Sequence, residues 1–151
     1  MILAGLIAAI ALGAPAGEEP VSMSVWAVQA TQEGHSPKQF EAGLESIRGA
    51  VADLPFDTYR KVQALTQTLP AGQETRVAID ARYTLFLKPL DTDPEGRIRL
   101  EVRVELAPKA PQDKPVTALS TRLALAPGKQ AKVGGFKLEQ GELVIVLSPG
   151  K

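Results

Sequence analysis

The side chains best able to do chemistry lie between residues 33 and 60: Glu33, His35, Asp53, Asp57, Tyr59 and Arg60. His35 is the only histidine. A catalytic imidazole needs a nucleophile or an orienting carboxylate, and a metal-binding one needs fellow ligands. Glu33 stands nearby, but no spacing motif follows, so His35 reads as a solvated loop residue. Asp53 and Asp57 could share acid–base work if their carboxylates converged. Asp57 reads more simply as a turn residue after Pro55, and Arg60 can pair with either carboxylate. No residue is therefore assigned a catalytic role. Trp26, Tyr59 and Arg60 are the expected ligand- or partner-binding residues, because large amphipathic side chains and arginine dominate binding hot spots. Core packing is the competing account of Trp26.

Two other clusters resemble known site chemistry only in part. Asp91, Asp93 and Glu95 alternate oxygen ligands as calcium loops do, but an EF-hand needs more acidic positions and a bidentate Glu at its twelfth. Pro94 and Gly96 fit a turn between strands instead. Gly134-Gly135 lacks the flanking glycines, lysine and helix of a phosphate cradle, and reads as a turn or bulge in which glycine supplies positive φ. No nucleophile elbow and no Ser/His/Asp triad can be nominated. The chain has no cysteine, which excludes disulfides, thiol catalysis and thiolate metal sites together. The expectation is no metal site and no cofactor.

The elements that must carry these residues follow from periodicity. Residues 21–30 alternate as a strand, with Val21, Met23 and Val25 on one face and Trp26 and Val28 on the other. Apolar residues on both faces imply an interior strand or one covered by a helix. Ser36-Pro37-Lys38-Gln39 has the form of a helix start, and Phe40, Leu44, Ile47, Val51 and Leu54 follow at helical spacing. The spacing predicts one amphipathic helix ending before Pro55. Beyond it the period becomes two. Residues 58–69 read as a strand with Tyr59, Leu65 and Leu69 on one face. Residues 75–79 and 83–87 follow, then a hairpin loop over 91–96. Residues 97–106 alternate five apolar against five charged side chains, which demands one buried and one wet face. A one-residue slip would bury those charges. Residues 107–115 form a loop with three prolines, and 116–125 a strand. Short strand pieces lie around 131–133 and 136–138. Residues 143–147 are unbroken apolar, as in a central strand. The predicted fold class is α+β: one amphipathic helix packed on a mostly antiparallel β-sheet or β-sandwich.

Composition bounds the rest. The chain has 151 residues, with 17 Lys and Arg balancing 17 Asp and Glu. That neutrality and the single Trp argue against a nucleic-acid partner. Residues 2–12 contain only Ile, Leu, Ala and Gly, a run of signal-peptide length and too short to span a bilayer. Ala14-Pro15-Ala16 fits a cleavage site, although only Met1 precedes the run where a basic residue is usual. The expected organisation is a signal peptide over 1–16, forming a helix, and a single strand-rich α+β domain over 17–151. Membrane contact would then occur only through an uncleaved signal segment. The expected location is periplasmic or extracellular.

One stretch carries a family resemblance. An apolar strand from Leu119, then Pro127-Gly128-Lys129, Val133-Gly134-Gly135-Phe136, and the apolar run to Leu147 together resemble the late strands of the bacterial secretin family's core domain. The resemblance spans about a fifth of the chain. It implies an envelope context, strand pairing and assembly with a partner, and it transfers no functional residue. The export signal, the neutral charge, the strand-rich build and the absence of a catalytic motif lead to the expectation of an exported, non-catalytic envelope protein with an envelope protein partner or self-association. A small-ligand binding module with a groove between helix and sheet is the alternative, and a hydrolase with an unfamiliar site at His35, Asp53 and Asp57 the third.

Overall fold

A computed structural model describes residues 19–150. The expected signal peptide lies outside these residues. Among the described residues, nine strands form two sheets: β1 (Val21–Thr31), β2 (Gln39–Phe40), β3 (Thr58–Leu69), β4 (Thr75–Ala78), β5 (Tyr83–Thr92), β6 (Ile98–Leu106), β7 (Val116–Leu125), β8 (Ala131–Lys137) and β9 (Glu142–Pro149). The five-stranded sheet has the order β2-β3-β1-β9-β8, and the four-stranded sheet the order β4-β5-β6-β7. All pairings are antiparallel except the short β2–β3 contact. No helix among the described residues is long and apolar enough to cross a membrane.

The sheets face each other across the main core. Met23, Val25, Ala27, Leu143, Ile145 and Leu147 from one sheet meet Tyr83, Leu85, Leu87, Leu100, Val102 and Val104 from the other. β6 behaves as its alternation demands. Its apolar side chains enter this core, while Arg99, Glu101 and Arg103 face outward and pair with Asp91, Arg122 and Glu74. The continuous apolar run of β9 is explained by its position between β1 and β8. Its odd residues enter the inter-sheet core, while Val144 and Val146 enter a second apolar layer behind the five-stranded sheet.

That second layer corrects the helix expectation. Phe40, Leu44, Ile47, Val51 and Leu54 all pack inward against Val28, Ala30 and Tyr59. They do so from a two-residue strand, a 3-10 turn (Glu45–Ile47) and one short helix, α1 (Arg48–Val51), rather than from a single helix over 37–54. Gly43 adopts φ +95, which a helix cannot accommodate. Upstream of it, the Gln39 and Glu41 N–H groups bond the Asp57 and Tyr59 carbonyls instead of an earlier turn. Apolar burial was thus readable while the backbone path was not. Lysines complete the short helix: Lys38 Nζ donates to the Ala52 and Leu54 carbonyls, at 2.7 and 2.5 Å, and Lys132 Nζ to that of Ala50, at 2.9 Å. These satisfy acceptors that a helix C-terminus leaves open.

Two bulges set which face each side chain takes. In β3, Gln63 pairs with Ala27 and Lys61 with Val28, leaving Val62 as the extra residue. A bulge shifts the alternation by one. Leu65 and Leu69 therefore face the inter-sheet core while Tyr59 faces the second layer, although simple alternation puts all three together. In β8 the extra residue is Gly135, at φ +91. It lets Val133 and Phe136 both point into the inter-sheet core, and joins what read as two strand pieces into one.

Candidate functional site

The chemically able residues gather at one end of the five-stranded sheet, where β1 ends and β3 begins. Thr31 and Thr58 are cross-strand partners, and Arg60 lies opposite Gln29. Asp57, just before β3, points its carboxylate into the loop after β1. It accepts the Glu33 N–H on Oδ1 at 2.9 Å, and the Gly34 and His35 N–H groups on Oδ2 at 2.8 and 3.0 Å. The Thr58 hydroxyl adds a fourth bond at 2.8 Å. These donors, the Glu33 N–H foremost, lower its pKa to about 2 by favouring the charged form. Asp57 therefore shapes the loop and holds its proton too weakly to serve as a general acid near neutrality.

Glu33 is held from the other side. Arg60 binds it bidentately, Nη1 to Oε2 at 2.5 Å and Nη2 to Oε1 at 3.0 Å, and the Thr31 hydroxyl donates to Oε2 at 2.5 Å. The Arg60 hydrogen bonds, then that of Thr31, lower the Glu33 pKa to about 2. His35 Nε2 lies 3.9 Å from Glu33 Oε1. Thr31, Glu33 and Arg60, with Gln29 and Gln140, border a polar depression of about 510 Å³. Asp53 joins none of them: its carboxylate meets Lys132 Nζ at 2.7 Å. The structure thus brings His35 and Asp57 together only through the His35 backbone, and engages Asp53 elsewhere.

Tyr59 is 1% exposed. Its ring stacks on Phe40 with centroids 4.8 Å apart, and its hydroxyl donates to the Val51 carbonyl at 2.9 Å. Burial raises its pKa above the ordinary tyrosine value. Trp26 is half-buried on the same face of the sheet, opposite Ala64 and Val146, at the margin of the second apolar layer. Arg60 alone of the three expected binding residues has a largely open side chain, 45% exposed.

The acidic loop over 91–96 is a hairpin connection. Asp93 Oδ1 accepts the Glu95 and Arg97 N–H groups at 3.0 and 2.9 Å, and Oδ2 accepts Arg97 Nε at 2.8 Å. Asp91 pairs with Arg99. Among the described residues, no three His, Asp or Glu side chains converge to hold a metal ion.

Two features escaped sequence reasoning. The first is an apolar groove of about 320 Å³ between the segment after α1 and the β8–β9 pair, lined by Leu54, Pro55, Phe56, Gly135 and Val144, with Lys132 and Glu142 at its rim. Gly134 keeps it open, since a Cβ there would sit 3.3 Å from Val144. The second is the outer edge of β7. Ten residues long, it has β6 on one side and no strand on the other among the described residues. It contains no proline and a single charged residue, Arg122. Val116, at its start, is 59% exposed, the one large apolar side chain so open among the described residues. The other edges are short or broken: β2 has two residues, β4 four, and β8 is bulged at Gly135 and carries Lys132 and Lys137. Recognising β7 as an edge needed the strand order, which one sequence does not carry. No protein-family model matches the chain, and no curated protein matches it.

Proposed function

We propose that this chain is an exported, non-catalytic protein of a bacterial envelope, with a β-rich protein-interaction or assembly role. The observation that carries the reading is the edge of β7, along which no strand among the described residues pairs. An uncovered strand presents a row of backbone donors and acceptors to another chain, and proteins normally blunt such edges with charge, proline or brevity. Strand addition is a standard mode of protein recognition on such an edge. Support for a non-catalytic role comes from the carboxylates. Asp57, Glu33, Asp53, Asp91 and Asp93 are each engaged in loop or strand architecture. The apolar run at the N-terminus supports export, and the secretin-like stretch agrees with an envelope setting. Arg60 and Trp26 remain candidate contact residues.

The test is the native size of the protein in gently solubilised envelope fractions, by native gel with mass spectrometry of the band. A species much larger than the 16.0 kDa chain is expected. A single chain recovered from the soluble extract would sink the reading.

The apolar groove favours a second reading, a module for a small, mainly apolar ligand. A thermal-shift screen of such compounds on the wild type and Gly134→Val separates the two. Stabilisation of the wild type alone would support the ligand reading, and no shift at saturating concentrations would remove it.

A further inference from the structure

We infer that β7 pairs with β7 of a second copy of this chain, antiparallel about a two-fold axis through Thr121, joining two four-stranded sheets into one. The inference rests on the interaction reading above and names its partner. Side chains directly opposite in an antiparallel pair share a face. A two-fold axis that keeps the two cores on the same side must therefore pass through a residue rather than between two residues. An axis at Arg122 would set arginine against arginine. An axis at Ser120 would set Leu119 against Thr121 and Arg122 against Ala118, the bulged residue of the β6–β7 pairing. An axis at Thr121 sets Leu119 against Leu123 twice and Ser120 against Arg122 twice. Leu119 and Leu123 are half-buried and already pack against the inter-sheet core, so pairing them completes a burial that the single chain leaves open. Arg122 stays bound to Glu101 of its own chain at 3.0 Å and meets a small hydroxyl rather than a like charge. Self-pairing through one patch is the usual construction of a symmetric dimer.

The register makes charge changes at Ser120 act in opposite directions. Ser120 is exposed and lies opposite Arg103 of its own chain, so thermal unfolding of each variant separates an effect on folding from one on association. In sedimentation velocity of the full chain over a concentration series, Ser120→Lys should weaken dimerisation by about tenfold, because two like-charge pairs form. Ser120→Glu should strengthen it by a similar factor, and Ser120→Glu with Arg122→Glu should cancel the gain. The chain has no cysteine, so Thr121→Cys should give a disulfide-linked dimer under mild oxidation, whereas Thr68→Cys, exposed on the other sheet, should not. A monomer at every concentration overturns the proposal, as does a dimer indifferent to all of these changes. A chain monomeric alone but large in envelope extracts overturns self-pairing and leaves the partner reading standing. A chain monomeric in both settings removes both.

Discussion

A carboxylate that accepts three backbone N–H groups cannot take up a proton without loosening the loop that donates them. Asp57 is that residue, and its folded pKa of about 2 lies below the ordinary 3.8. The unfolded chain binds the proton more readily, so the stabilisation is complete above about pH 4 and is lost as the pH falls toward 2. Urea unfolding of the wild type and Asp57→Ala should differ most at neutral pH, and the two midpoints should converge below pH 3. A gap that stays constant down to pH 2.5 would contradict this role. Tyr59 makes a complementary case. Tyr59→Phe keeps the stacking on Phe40 but strips a donor from the buried Val51 carbonyl, and should cost about 1–2 kcal/mol. Both residues were visible in the sequence as chemically able. What they do there was not, because the loop that Asp57 holds is brought near by the β1–β3 register, and the Val51 carbonyl by the fold of the segment before β3.

Among the elements, strands whose pattern follows from one wet face were legible. The ten-residue alternation around β6 and the apolar run of β9 allow only the faces that they take. The second apolar layer was legible only as a list of buried residues. A stripe at spacings of four and three suits a helix, but it also suits a strand, a 3-10 turn and a short helix laid across a sheet. Bulges were harder, since one extra residue looks like ordinary sequence. Gly135 is the exception, being a glycine where the backbone needs positive φ. Gly135→Ala should destabilise by about 1–2 kcal/mol. Gly141→Ala should cost more, because its Cβ would stand 2.1 Å from the Ala30 carbonyl oxygen. Thermal or urea denaturation of both variants tests the order.

For the molecule as a whole, the five-stranded sheet separates two apolar layers while belonging to both. Leu85 lies fully buried in the inter-sheet core and Ile47 fully buried behind the sheet. Each replaced by Ala should cost about 2–5 kcal/mol. If the layers unfold together, both variants shift the urea midpoint with the slope unchanged. A shallower or two-step transition in Ile47→Ala alone would mark the outer layer as a separate unit. The strand-rich, mostly antiparallel build was legible at this scale because alternation dominates the chain. Strand order was not, since nothing local says which strands meet across a hundred residues.

Among the described strands, the central one of the five-stranded sheet is also the first, and one of its two neighbours is the last. β1 pairs with β9 from Met23↔Pro149 to Ala30↔Glu142, and the Gly150 N–H closes on the Ser22 carbonyl at 2.7 Å. A chain emerging amino end first holds Val25, Trp26 and Val28 beside an empty lane until its final strand arrives. The five-stranded sheet therefore closes only when β9 is in place, and removing β9 would take out an interior strand and leave β8 without its partner rather than trim the margin.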